Sequence, residues 1–126
     1  MAVYDYSPSV ADLVLYQGDD WSKTYRVGSR VSADDPIVYW DLTGYSGKSQ
    51  IRKKAGSADV LAELDFVLGD GQDTDEGAGY FTVSLSAEDS ALLPRVCYWD
   101  IELTDLDGKK RTYVAGKVSV TREVTV

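Results

Sequence analysis

The acidic pair Asp19-Asp20, in the stretch YQGDDWSKTYRV, is the first place where residue types and spacing could carry a reaction. General acid and base catalysis needs two carboxylates in different environments that converge on one cleft. Adjacent residues of a strand point to opposite faces, and Asp commonly bonds its own backbone in a tight turn. Asp19 and Asp20 are therefore expected to form, with Gln17 and Gly18, the turn joining two strands. Asp70, Asp73, Asp75 and Glu76 offer oxygen ligands for Ca²⁺, yet their spacing is not that of a helix-flanked calcium loop. The segment GDGQDTDEGAG, residues 69–79, reads as a solvated, mobile acidic loop without an apolar anchor. Asp34-Asp35-Pro36 is likewise a turn. The chain contains no His, which removes Ser and Cys triads of the usual kind and Cys/His zinc sites. Cys97 is the single Cys and alternates with core side chains, where a thiol is inert. The residues thus predict a chain that is not an enzyme, with no catalytic group, no cofactor and no metal site.

Exposed aromatics and cations are the remaining candidates. Tyr6, Tyr16, Tyr98 and Tyr113 are expected on or near polar faces, and aromatics are enriched at protein interfaces and carbohydrate sites. Tyr113 also reads as a cross-strand partner of Glu102. Lys48, Arg52, Lys53 and Lys54 are expected to guard an outer strand edge. There they could meet an acidic surface, such as the Asp70–Glu76 loop of a neighbouring copy.

The elements that must position these residues are strands. Apolar residues recur at every second position in short segments punctuated by Gly, Asp and Pro. Strands are predicted near Asp12–Tyr16, Trp21–Val27, Ile37–Trp40, Gly47–Lys53, Val60–Phe66, Gly79–Leu85, Arg95–Thr104 and Arg111–Thr121. About eight short strands at this spacing favour an all-β, antiparallel two-sheet sandwich of immunoglobulin-like type, or a barrel. One short helical turn is predicted near residues 86–93, capped by Ser86 and stopped by Pro94. Asp107-Gly108 between alternating apolar residues predicts a hairpin with a two-residue type I′ turn. That register pairs Leu103 with Thr112, Ile101 with Val114, Trp99 with Gly116 and Cys97 with Val118. It puts Cys97, Trp99, Ile101, Leu103, Val114, Val118 and Val120 on one face and Tyr98, Asp100, Glu102, Lys117 and Ser119 on the other. Gly116 is expected to give the Trp99 indole room. In the other strands Phe81, Val83 and Leu85, and Val60, Ala62, Leu64 and Phe66, are the predicted inner faces.

The 126 residues fit one domain, 1–126, with residues 1–10 as an extended N-terminal arm, and bury roughly two-thirds of the unfolded surface. A net charge of −8 argues against nucleic acid and anionic membranes as partners. The start MAVYDYSPSV lacks a basic n-region and an apolar h-region, and no apolar run approaches the roughly 18 residues of a membrane span. These features predict synthesis in a cytoplasm, or release from one by lysis.

Four segments, LVLYQGDDW, DLTGYSGKSQIRK, GYFTVSLSAEDSALLPRVCYWDIELTDLDGKKRTYVAGKVSV and REVT, occur in an order that resembles a known layout. It is similar to the small β-sandwich modules of tailed bacteriophages, such as the N-terminal domain of baseplate upper proteins. The matching residues are Gln17, Gly18 and Asp19; then Asp41, Leu42, Thr43, Gly44 and Arg52; then Leu85 and Ser86; and finally Tyr98, Asp100, Glu102 and the Asp107-Gly108 turn. The resemblance implies a virion structural protein, made in the cytoplasm of a host bacterium. It would dock to tail, baseplate or receptor-binding fibre proteins in a multi-copy and self-associating arrangement. In the resembled family a receptor-binding region follows the module, which implies here that the partner is a separate polypeptide. The alternative from another class is a carbohydrate-binding module that reads host surface glycans through exposed aromatics.

Overall fold

The computed structural model describes residues 9–30 and 32–122. Ten strands and one short helix follow in the order β1 (Ser9–Val10), β2 (Leu13–Tyr16), β3 (Trp21–Arg26), β4 (Gly28–Ser29), β5 (Val38–Tyr39), β6 (Ser46–Arg52), β7 (Val60–Leu68), β8 (Tyr80–Leu85), α1 (Ala87–Ser90), β9 (Val96–Thr104) and β10 (Lys110–Thr121). All the strands expected from alternation form, to within a residue or two at their ends. Helix α1 starts where expected, with the Ser86 hydroxyl accepting from the Asp89 N–H at 3.2 Å. The residues of the proposed Tyr6 site lie outside the described ones.

The strands run side by side in the order β1-β10-β9-β6-β7-β8-β3, with β2 also on β10 and β4-β5 forming a separate small ribbon. The ladder is antiparallel except at one edge, where β1 and β2 both lie parallel to β10. This corrects the purely antiparallel expectation. A parallel pair needs a long connection, and between the first and last strands almost the whole domain supplies it. Strand β7 changes partner along its length: Val60–Leu64 pairs with β6 and Asp65–Leu68 with β8. The ladder therefore folds over itself at β7, and the β8-β3 part packs on the β9-β10 part. The contact is aromatic: Trp21 meets Trp99 edge-on at 6.0 Å, Tyr25 lies tilted against Trp99 at 6.2 Å, and Phe81 meets Tyr113 edge-on at 6.0 Å.

The predicted inner faces are the core. Cys97, Trp99, Ile101 and Leu103 of β9 are buried with Val114, Val118 and Val120 of β10 and with Phe81, Val83 and Leu85 of β8. Val60 is the exception and is exposed, because the β6-β7 ladder slips between Ile51 and Arg52 just as β7 begins.

The β9-β10 hairpin agrees with the expected register only beyond its middle. Gly108 has φ 83°, but no non-Gly residue among the described ones has a positive φ, so the turn is not type I′. Asp105 N–H bonds the Lys109 carbonyl at 2.9 Å and Gly108 N–H bonds the Asp105 carbonyl at 3.1 Å. The loop thus holds Leu106, Asp107 and Gly108, a three-residue turn whose left-handed position is the glycine. Near this turn Arg111 faces Leu103 and Thr112 faces Glu102, one step off the expected pairing; a bulge at Tyr113 absorbs the extra residue, and Val114 then faces Ile101 as expected. A bulge re-aims side chains, and here it turns Tyr113 inward beside Val114. Its ring meets Phe81 edge-on at 6.0 Å and its hydroxyl donates to the Arg26 carbonyl at 3.2 Å.

Gly116 lies opposite Trp99, but it makes room for backbone and not for the indole. A Cβ there would overlap the Ala11 carbonyl oxygen, at the crossing from β1 to β2. The same carbonyl accepts the Trp99 indole N–H at 2.8 Å.

Candidate functional site

Asp19 and Asp20 are turn residues, as their sequence context predicts, and the turn has a partner. Gly18 has φ 87° and Asp19 N–H returns to the Tyr16 carbonyl at 3.0 Å. The turn then docks on α1. Asp20 Oδ1 accepts the Ala87 N–H at 2.7 Å, and the buried Ser90 hydroxyl accepts the Gly18 N–H at 3.1 Å while donating to the Asp19 carbonyl at 2.8 Å. Strands β2 and β3 pair with β10 and β8, so this turn carries the chain from one part of the ladder to another.

The acidic 69–79 segment is anchored, against expectation, by a polar residue. Gln72 is buried and uses all its capacity. Its Oε1 accepts the Leu42 N–H at 3.2 Å and the Gly79 N–H at 2.8 Å, and its Nε2 donates to the Gly69 and Tyr80 carbonyls at 3.1 and 2.7 Å. Arg26 clamps the same loop, donating to the Ala78 and Asp75 carbonyls at 2.9 and 2.8 Å. Its guanidinium lies over the Tyr39 ring at 3.4 Å and the Tyr80 ring at 4.4 Å. Among the described residues no group of three or more His, Cys, Asp and Glu side chains is arranged to hold a metal ion.

Three of the predicted interface residues come together on the outer face of β10-β9-β6. Arg52 faces Tyr98, with Lys117 on the far side of Tyr98, and four residues along the strands Lys48 faces Glu102. Between these rows lie Gln50 and Asp100, also facing each other. Although this face points away from the core, Gln50 is only 8% exposed and Arg52, Tyr98 and Asp100 are half-buried. Burial pushes the Asp100 carboxyl above the usual range; Arg52 pulls it back and Glu102 pushes it further. Arg52 donates from Nη2 to Gln50 Oε1, while its buried Nε has no partner among the described residues. Asp12 reaches the face from the β1–β2 crossing, accepting the Lys117 N–H at 3.0 Å. Asp12, Gln50, Arg52, Tyr98, Asp100 and Lys117 line a groove of about 440 Å³ that the Ala55-Gly56 turn closes on one side. Beyond Lys117 the face becomes apolar: Val14 and Val96 flank Ser119, with Val14 63% and Tyr16 58% exposed.

Lys53 and Lys54 follow β6 and are exposed. Strand β6 lies between β9 and β7, so Lys48 and Arg52 guard no edge. Edge residues instead belong to β3, β1 and β2. Tyr113 is not a surface residue of this face, for the reason given by its bulge. Cys97 is fully buried, and burial raises its thiol to about 11.

A second concavity, of about 500 Å³, lies where β5 and the segment after it meet the β9-β10 hairpin. Tyr39, Trp40 and Tyr45 supply aromatic wall, and Asp41, Asp105, Lys109 and Arg111 supply charge. Trp40 is oriented by its indole N–H, which donates to the Ser29 hydroxyl at 3.1 Å. Burial and the nearby Asp105 push the Tyr45 phenol above its usual value. The sequence pattern did not mark Tyr39, Trp40 and Tyr45 as a site. The density of aromatics in YWDLTGY, residues 39–45, was the available signal.

No protein-family model and no curated protein matches the chain. Among the described residues no helix is long and apolar enough to cross a membrane.

Proposed function

We propose that the chain is a non-enzymatic assembly module of a phage or prophage particle, docking to tail, baseplate or receptor-binding fibre proteins through the outer face of β10-β9-β6. The observation that carries this reading is the state of that face. Its centre holds shielded polar groups, with an Arg52 donor short of a partner, and its margin holds exposed Val14, Tyr16 and Val96. An apolar strip beside partly dehydrated, directional polar groups is the composition of a protein interface. Lys48, Lys53 and Lys54 beside the groove suit an acidic partner surface, which sets approach and orientation more than affinity.

The finer fold reading belongs to the same proposal: an immunoglobulin-like two-sheet sandwich, with β2-β10-β9-β6 and the first half of β7 as one sheet and β3-β8 with the second half of β7 as the other. The parallel first-to-last strand pair and the order of the remaining strands support it. The link from fold to phage assembly is an analogy of architecture.

The test is incorporation into particles. A Lys53→Glu, Lys54→Glu double variant, changed at two exposed positions, should melt within about 1 kcal/mol of the parent, as surface changes do, yet be missing from purified virions by mass spectrometry. Incorporation of that variant at parental stoichiometry, or absence of the parent protein from virions, would sink the reading. A second reading, recognition of host surface glycans, draws on the aromatic concavity between β5 and the β9-β10 hairpin.

A further inference from the structure

We infer that the concavity walled by Tyr39, Trp40 and Tyr45 is a binding site for one pyranose unit of a saccharide, an inference that rests on the glycan reading and gives it a place and a ligand class. Its volume of about 500 Å³ falls within the roughly 300–1,000 Å³ of small-molecule sites. What separates ligand classes is the lining. Two carboxylates, Asp41 and Asp105, stand against two cations, Lys109 and Arg111, so the site carries no excess positive charge with which to hold phosphate. Two carboxylates are also too few to cage a hard cation, which takes six or more oxygens. A purely apolar ligand would leave these charged groups dehydrated without compensation.

A pyranose has what the wall lacks. One face of the ring presents C–H groups that pack on an aromatic surface, and the rim presents hydroxyls that both donate and accept. Donation suits Asp41 and Asp105; acceptance suits Lys109 and Arg111. The two carboxylates are held in place by the backbone. Asp41 Oδ1 accepts from the Thr43 N–H at 2.9 Å and from its hydroxyl, which keeps the acid below its ordinary range, and Asp105 Oδ1 accepts the Asp107 and Lys109 N–H groups, each at 2.9 Å. The aromatic side is held as well. Tyr39 has the Arg26 guanidinium on its ring, and Arg26 is itself tied to two carbonyls of the 69–79 loop. Gln72 ties that loop to Leu42, between Asp41 and Tyr45. A weak ligand gains most from a site that needs no rearrangement, and here the Asp41 and Asp105 carboxylates and the Tyr39 ring are each held by contacts of their own.

The experiment is a titration of ¹⁵N-labelled protein with methyl glycosides of glucose, galactose, mannose, N-acetylglucosamine and rhamnose. The indole N–H signals of Trp40, Trp21 and Trp99 serve as separate reporters. The expected result is a saturable shift of Trp40 and of the Asp41, Tyr45 and Asp105 amides with at least one glycoside, while the buried Trp99 indole stays still. Tyr39→Ala should weaken that binding about five- to tenfold, the value of one aromatic face. Lys109→Ala, an exposed change on the opposite wall, should weaken it too and covers the case in which the Tyr39 variant fails to fold. Shifts confined to Tyr16 and Tyr98 would overturn this site while leaving glycan recognition standing. Silence of every glycoside would overturn both, whereas unchanged affinity in the two folded variants would overturn this site alone.

Discussion

Replacing Gln72 by Ala tests whether one buried amide organises the 69–79 loop and the wall of the aromatic concavity. The substitution removes four hydrogen bonds at once. Their loss is unequal. The Tyr80 carbonyl keeps the Gly69 N–H at 2.8 Å, so it remains paired. The Leu42 and Gly79 N–H groups, both bonded to Gln72 Oε1 in buried surroundings, lose that acceptor. A buried donor left unpaired costs about 1–3 kcal/mol, and two of them cost about 2–5 kcal/mol after allowing for some entry of water. Against a typical total of about 5–15 kcal/mol, that is a large share. Urea unfolding followed by Trp fluorescence should show the midpoint falling with an unchanged slope. Amide hydrogen exchange should locate the effect, with Leu42 and Gly79 losing protection while β9 and β10 keep theirs. A loss below about 1 kcal/mol with both amides still protected would refute the reasoning, because the loop would then hold without its central side chain.

Trp99→Ala should cost about 3–5 kcal/mol, since the indole is buried against Trp21 and holds the Ala11 carbonyl; a chemical melt showing less than about 1 kcal/mol would put the inward face in error. Gly108→Ala should cost only the strain of a positive φ, about 1–2 kcal/mol, because no atom lies near its added Cβ, whereas Gly116→Ala should cost more through overlap with the Ala11 carbonyl. Denaturant midpoints in the reverse order would contradict this. Asp100 has its folded pKa raised, chiefly by burial, so the folded form holds its proton longer than the unfolded one. Stability contributed by the neutral acid is then full below the unfolded pKa and declines as pH rises through the folded one. Asp100→Asn should therefore gain on the parent between acid and neutral pH; parallel stability profiles across that range would exclude the effect.

Much of the fold was written in local pattern. Alternation of apolar residues places the β8, β9 and β10 faces without ambiguity, because a strand has a period of two and a slip of one residue would expose every core side chain. Ser86 before Ala87-Glu88-Asp89, and Gly18 after Gln17, mark a helix start and a turn through their own backbone preferences. These features depend on neighbours in the chain, and the chain alone determines them.

What only the tertiary structure decided involves residues far apart in sequence. The three-residue turn at Leu106–Gly108 and the bulge at Tyr113 offset one another, so the hairpin register looks regular from either end; at the bulge Tyr113 packs against Phe81 and bonds the Arg26 carbonyl, partners far away in sequence. Lys48 and Arg52 read as an edge guard because charge alone does not tell an outer strand from an inner one, and β6 became interior only when β7 and β9 closed on it. Nothing in β7 marks the change of partner between Leu64 and Asp65, since its alternation continues unbroken. Gln72 resembles any other polar loop residue until Leu42 and Gly79 present their amides to it. Both concavities are of this kind: their walls come from segments brought together by strand pairing, and a linear pattern holds no record of which distant groups will share one space.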